Sequence, residues 1–533
     1  MKNIVKKTFS GLLMFTLLFS SVNTGIFAED SIDSDNNASC FYGMRGLEPE
    51  IEEPIIEKLP ILNGSNSQIG DVYGVNAVTY PASKDISTST YFPPIKSQGS
   101  VGSCSAFSAV YYQFTYEANK LNKRSSASLA NQYSPQWAYY ATYLEKENNM
   151  GVRYTDVYNF LKDHGALSMA DNPYVSTFNA ALPLVTDEAK MRDALKTRVS
   201  AVHTYSIPGN GTPITSCTDA DLNEIKSLLN ANKVVRASST FNFDAVKTDN
   251  GSIYYRNKTS GSGHSFVIVG YNDNISYDVN KDGKIEAAEK GAFKVANSWG
   301  SSWGNNGYIW ILYDALNNVS AISGSWEKNL DGDRQAAFAY EFANNNYTTI
   351  DVANYDVNFI AKCNFSSTQR NAPRISLGKS NGTGFSTYNT VHNGNFGTEK
   401  VSNFTLLFDY KPVEKGLEYD YTNTTWRVSL RNFDATRIND PAVSLIDNAG
   451  NTVKNMTRTS TASTRTYDCS INLVMGDLNY SGTVTSADMT RLNKYLSGEI
   501  TFSNVQFFLA DLNGDGAVNS KDLTRLMKIL AGE

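Results

Sequence analysis

Cysteine and histidine are scarce in this chain: five and four among 533 residues. Small secreted folds that rely on disulfides use cysteine densely and in even number, so Cys40, Cys104, Cys217, Cys363 and Cys469 exclude a disulfide scaffold. At least one must stay free or pair between chains, and Cys363 with Cys469 is a candidate bridge within one late domain. Charge of one sign is also lacking. With 47 basic and 53 acidic residues the net charge is −6, too weak a field to favour nucleic acid or anionic lipid. Beyond the extreme N-terminus no run is long and apolar enough to span a membrane.

The hydrophobic fraction of 41% is that of a globular protein, and the length predicts two to four domains. Residues 1–28 read as an export signal: Lys2, Lys6 and Lys7 precede a short apolar stretch from Gly11 to Phe19, with cleavage near Ala28. The protein is therefore expected to be secreted, extracellular and soluble. Residues 29–79 are acidic and proline-punctuated, either an inhibitory propeptide or a linker. Residues 80–334 mix helical spacing with short apolar strands. In 335–470 the pattern changes to period-two alternation: Phe404, Leu406, Phe408 and Tyr410 share one face, as do Trp426, Val428 and Leu430. Such runs separated by Asn and Gly predict a β-sandwich. Residues 476–499 and 510–533 are an internal repeat, with the 475–533 segment as its module.

Cys104 follows Gly99 and Gly102 and precedes Phe107, Val110, Tyr111, Phe114 and Ala118 at helical spacing. This places it near a helix N-terminus, where free N–H groups favour a thiolate nucleophile. His264 opens the apolar run 265–271, so it stands at a strand mouth, where a general base is well placed. A second strand, 293–297, ends at Asn297, which can fix the imidazole tautomer, with Trp299 to shield that bond. His164 lies near a helix end and reads as a structural C-terminal charge.

The segment from Gln98 through Cys104 to Phe107, and the segment Asn297 to Tyr308, resemble the papain family of cysteine peptidases. His264 and Asn297 follow Cys104 in that family's order, though farther along than its usual spacing of roughly 130–150 residues. The resemblance implies Cys104 as nucleophile, His264 as base and acid, Asn297 as orienter and Gln98 as an oxyanion donor. Two positions depart from the family pattern. Val101 replaces a cysteine often disulfide-bonded there, and Ser105 replaces an aromatic residue.

Asp477, Asn479, Ser481 and Asp488 offer oxygens at loop positions 1, 3, 5 and 12, with Gly482 at the sharp turn and the Thr483 carbonyl at position 7. Asp511, Asn513, Asp515 and Asp522, with Gly516 and the Ala517 carbonyl, repeat the arrangement. Hard oxygen donors at this spacing suit Ca²⁺. The duplicated form resembles type I dockerins, which implies a cohesin module of a scaffolding protein as partner. Ser486-Ala487 and Ser520-Lys521 occupy the positions dockerins use for recognition. A third such loop, with Asp278, Asn280, Asp282, the Lys284 carbonyl and Glu289, lies between the His264 and Asn297 strands.

The expected architecture is multidomain: a two-lobed α+β papain-like domain, an all-β sandwich-like domain and a small all-α calcium module. The resemblances imply a secreted endopeptidase acting on protein or peptide substrates, docked through a dockerin in a cellulosome-type assembly. The competing expectation is a dockerin-borne binding protein or adhesin with a vestigial peptidase fold.

Overall fold

The computed structural model describes residues 80–533, apart from 143–148, 150, 180–184, 207–218, 241–242, 249–250, 258–262, 280–281, 314–345, 368–373, 383, 392–401, 414–423, 432–438 and 461–463. The proposed signal, the 29–79 segment, Cys40, Cys217, Asn280 and His392 lie outside the described residues. Among those described, no helix is long and apolar enough to cross a membrane.

A helix over residues 104–122 organises the first domain. Its middle, Phe107–Phe114, is π-helical, and all eight of those residues are buried. A helix apolar on every side belongs between two cores. Ala106, Val110, Phe114 and Ala118 face a helical lobe with Pro135–Thr142 and Tyr154–His164, whereas Phe107, Tyr111 and Tyr112 face a β-lobe. Gln113, fully buried, ties the two together: its amide donates to the carbonyls of Val234 and Thr348 and its oxygen accepts from Tyr158.

The β-lobe sheet runs, in spatial order, through Thr197–Ser206, Asn346–Asn354, Val235–Thr240, Gly263–Ser276, Lys290–Ala296, Tyr308–Leu312, Gly251–Asn257 and Phe243–Thr248, with Ser83–Asp85 also pairing onto Gly263–Ser276. Only the pairing of Gly251–Asn257 with Tyr308–Leu312 is parallel among the described strands. One member is unexpected. Asn346–Asn354 lies past the 334/335 boundary drawn from sequence, yet it sits inside this sheet, antiparallel to Thr197–Ser206 from Asn346↔Ser206 to Asn354↔Thr197. Structurally the sheet-bearing domain extends to residue 354.

The alternating segment forms two antiparallel sheets. One runs Ser402–Asp409, Phe359–Ser367, Ala442–Asp447, Thr452–Asn455. The other runs Ser386–Asn389, Arg374–Ser380, Thr424–Arg431, Arg465–Ile471, Thr457–Arg458. Trp426, Val428 and Leu430 are buried between them as their spacing predicts, each such side chain contributing about 1.5–3 kcal/mol. In Ser402–Asp409 the alternation breaks down, because Leu407 and Asp409 are buried as well. The strand lies against the helices Tyr154–His164 and Glu188–Ala194 of the first domain, and Asp409 meets Arg198 there. Cys363 and Cys469 sit on different sheets of the sandwich and both are free thiols, so the candidate bridge between them does not form. Burial pushes each up to about 12, which makes them inert.

The terminal repeat folds as helices Ser486–Leu496 and Ser520–Ala531 with Asn504–Ala510 between them. Leu478, Leu492, Val505, Leu509 and Leu526 close its core. That core belongs to the same apolar cluster as the sandwich, and polar contacts add to the junction: the Tyr480 hydroxyl donates to Asp447 at 2.9 Å and Arg491 to the Asn451 oxygen at 3.1 Å.

Candidate active site

The chain approaches Cys104 through a turn that only glycine permits. Gly99 has φ +60, and a Cβ there would stand 2.1 Å from the Ser176 carbonyl oxygen. Ser100 N–H donates to that same carbonyl at 2.9 Å, and Gly102 N–H donates to Asn149. The helix then begins at Cys104 itself. Val101 is buried in the helical-lobe core, so an apolar contact occupies the place of the family's cysteine.

Antiparallel pairing of Gly263–Ser276 with Lys290–Ala296, in which Val267 opposes Ala296, brings His264 and Asn297 to the same end of the sheet. His264 Nε2 lies 2.7 Å from Asn297 Oδ1. That oxygen also accepts the Ser298 backbone N–H at 2.7 Å. A backbone N–H can only donate, so the amide must present its oxygen here and Nε2 must carry the imidazole proton. Nδ1 is left as the ring's basic nitrogen. Trp299 packs over the imidazole with ring centroids 4.8 Å apart, and Trp303 meets Trp299 edge-on at 5.1 Å. The shield expected of Trp299 is in place. The Tyr112 hydroxyl donates to the Asn297 carbonyl at 2.6 Å, binding Asn297 to the helix that begins at Cys104.

Gln98 is held on both sides. Its Nε2 donates to the Val101 carbonyl at 2.9 Å and its Oε1 accepts from the Ser298 hydroxyl at 2.5 Å. The two segments that carry the family resemblance are therefore stitched to each other. Cys104, His264, Asn297 and Gln98 are all fully buried.

Burial pushes the Cys104 thiol up, while a backbone hydrogen bond from Ser265 and the charge of Arg236 pull it down. Burial lowers His264 to about 4, against the opposing bond to Asn297. In the closed site both effects favour a neutral thiol beside a neutral imidazole. Sequence reasoning missed three polar residues behind this pair. Ser265 Oγ lies 2.7 Å from Ser108 Oγ and accepts from Arg236 Nε at 3.0 Å. The signal that could have found them was an arginine inside the strand Val235–Thr240.

His164 corrects its sequence reading. It is buried against Trp137, Phe160 and Phe408, and burial lowers it to about 3, so it is a neutral packing residue and not a helix-terminal charge.

All three acidic loops share one wiring. In each, the first Asp accepts the backbone N–H groups of positions 5 and 6: Asp477 from Ser481 and Gly482, Asp511 from Asp515 and Gly516, Asp278 from Asp282 and Gly283. The last carboxylate accepts from position 9 in each: Asp488 from Thr485, Asp522 from Asn519, Glu289 from Glu286. Among the described residues, no three Asp, Glu, His or Cys side chains stand together as a metal centre. The loops instead offer mixed oxygens, carboxylate with amide, hydroxyl and carbonyl, a donor set that fits a hard cation.

Residues 80–325 match the family model described as papain family cysteine protease, and residues 475–531 match the dockerin type I domain. Procathepsin L of Felis catus is 26% identical over 253 residues, covering 46% of this chain and 65% of that protein. Cathepsin L 2 of Paramecium tetraurelia is 25% identical over 226 residues, covering 41% and 55% respectively. The chain thus spans less than two thirds of either relative. Among solved structures, digestive procathepsin L2 proteinase from Tenebrio molitor larval midgut aligns at 20% identity and TM-score 0.35, covering 59% of this chain and 80% of that one. Xylellain of Xylella fastidiosa aligns at 16% and 0.35, covering 58% and 96%.

Proposed function

Because the chain carries a papain-family cysteine protease domain at 80–325 and a type I dockerin domain at 475–531, we propose that it is a secreted cysteine endopeptidase held on a cohesin-bearing scaffold. The observation that carries the peptidase reading is the His264–Asn297 bond, made by the amide oxygen and therefore fixing the tautomer, at the sheet end beside the start of the Cys104 helix.

In the reaction, His264 Nδ1 takes the Cys104 proton and the thiolate attacks the peptide carbonyl carbon. The oxyanion forms against the Cys104 backbone N–H and the Gln98 amide. Collapse breaks the C–N bond, His264 returns its proton to the leaving amine, and a thioester remains on Cys104. Water, deprotonated by the same Nδ1, then cleaves the thioester and restores the thiol.

The dockerin reading is supported by the exposure of both recognition pairs, Ser486-Ala487 and Ser520-Lys521. Calcium in the two dockerin loops would be held by Asp477, Asn479, Ser481, the Thr483 carbonyl and Asp488, and by Asp511, Asn513, Asp515, the Ala517 carbonyl and Asp522. It would fix the loops that start the recognition helices and take no part in catalysis. The deciding experiment uses casein and peptidoglycan fragments as parallel substrates. Wild type should hydrolyse casein and Cys104→Ala should not, with its thermal unfolding unchanged. Casein hydrolysis that persists in Cys104→Ala, or cleavage of peptidoglycan fragments alone, would defeat the reading.

A further inference from the structure

Arg236 has no exposure to solvent, and among the described residues no carboxylate pairs with it. A guanidinium stays protonated in proteins, and a buried one without a counter-charge is expensive enough to need a reason. Its surroundings are specific. Nε donates to Ser265, the residue after His264, at 3.0 Å, and Ser265 in turn meets Ser108, one turn past Cys104 on the nucleophile's helix. Nη2 donates to Ser238. The guanidinium carbon sits 3.8 Å from the centroid of the Tyr154 ring. Among the described residues, Nη1 is buried with no hydrogen-bond partner. The titratable groups facing it are Tyr154 and Tyr158, from the helix Tyr154–His164, and Cys104. Tyr158 is itself tied to Gln113 and Thr348. Of these three, Cys104 is the group whose anion the reaction requires.

We propose that Arg236 is a positioning residue of this site, the buried cation that stabilises the Cys104 thiolate from behind and fixes Ser265 against the nucleophile's helix. The inference rests on Cys104 being the nucleophile of the proposed peptidase. Its physical basis is that burial alone disfavours both charges of a thiolate–imidazolium pair. A permanent cation near Cys104 offsets part of that penalty when His264 takes the thiol proton. The imidazolium that carries this proton to the leaving amine is then not the thiolate's sole counter-ion. The same pull on Cys104 appears in its ionisation, which the Arg236 charge shifts toward the anion.

The test reads the pH dependence of Cys104 alkylation by iodoacetamide in the full-length protein, followed by the mass of the Cys104 peptide. In Arg236→Met the acid limb of alkylation should move up by about one pH unit, a tenfold slower reaction below the limb, whereas Arg236→Lys should stay near wild type. His264→Ala supplies an arm that leaves Arg236 untouched. Adding Arg236→Met to it should move the limb up by about one further pH unit, because the guanidinium acts without the imidazole. An Arg236→Met protein of native circular dichroism with an unmoved limb overturns the proposal. So does a uniform loss of rate at every pH, which a merely structural role predicts, or a His264→Ala limb that Arg236→Met does not move. If wild type cleaves no casein while these shifts appear, the peptidase reading fails and the inference about Arg236 stands.

Discussion

Arg198 donates to Asp409 at 2.6 Å across the junction between the first domain and the sandwich, with the two side chains only 3% and 0% exposed. Burial pushes the Asp409 carboxyl up and the guanidinium pulls it back. Arg198 also stacks on Tyr355, 4.2 Å from the ring centroid. Around this pair, Tyr388 donates to Asp163 at 2.9 Å and Lys362 reaches Glu188 at 2.7 Å. A buried pair is weak evidence of net stability, but removing one partner strands the other. Arg198→Met should cost about 3–5 kcal/mol in denaturant unfolding. Arg198→Met with Asp409→Leu should recover most of it. If the double variant is no more stable than the single one, the stranded carboxylate is not the source of the loss.

Asn297 should act on turnover more than on substrate binding. Asn297→Ala frees the imidazole to rotate and to adopt the wrong tautomer, so kcat is expected to fall on the order of 10²–10³-fold with KM nearly constant. Gln98→Ala removes one oxyanion donor and should cost a similar 10²–10³. A KM effect alone, in either variant, would contradict the assigned roles. Steady-state kinetics on a fluorogenic peptide separates the two parameters.

The loop Asp278 to Glu289 predicts a calcium response that the dockerin does not own. Glu289 is fully buried and accepts Val279 N–H at 2.6 Å, so the loop's end is anchored in the sheet that delivers His264 and Asn297. An ion bound only by the folded state at a hundredfold excess over its Kd adds about 2.7 kcal/mol. In the full-length protein, Glu289→Gln should abolish part of the calcium-dependent rise in melting temperature. The remainder should disappear with Asp477→Ala and Asp511→Ala. An unchanged calcium response in Glu289→Gln would confine calcium to the dockerin.

Asp351 predicts an acid sensitivity with a defined sign. His203, at 2.7 Å, and Lys233 hold its carboxyl well below the usual carboxylate range. A carboxyl depressed in the folded state stabilises it above the unfolded pKa, about 3.9, and that stability is lost as pH falls below this value toward the folded pKa. Because the side chain is 42% exposed, solvent screening keeps the effect modest. Asp351→Asn should therefore be less stable than wild type at pH 6 and lose less on moving to pH 3. Urea midpoints at the two pH values measure it, and equal acid losses in both proteins would refute it.

The candidate site residues were legible because their sequence signals are local. Gln98, the glycine turn and Cys104 lie within one short segment, and His264 and Asn297 each begin or end an apolar run. The sandwich was legible at Trp426, Val428 and Leu430, where one face meets the core. It was misleading at Leu407 and Asp409, because elements encoded far upstream, among them the strand of Arg198, pack on that part of the sandwich. His164 misled for the same reason: the helix-end rule assumes solvent, and Phe408 supplies an apolar wall instead. Arg236 was overlooked because a single arginine in a strand carries no periodic signal. Its meaning depends on Ser265 and Tyr154, which only folding brings near.

The placement of Asn346–Asn354 bears on how the papain-family domain can be moved between proteins. A fragment cut at the end of the family match, or at residue 334, would lack the strand next to the edge of its main sheet. Thr197–Ser206 would lose its partner strand and Val235–Thr240 would become a bare edge, a template for pairing with other chains. Transplanting the first domain therefore means carrying residues through 354 at the least. Because Arg198 and Asp409 seal the next junction, it also means carrying the sandwich. The portable unit is at least the pair of domains, and since the dockerin's core leucines join the same apolar cluster as the sandwich, exchanging the dockerin means rebuilding that contact too.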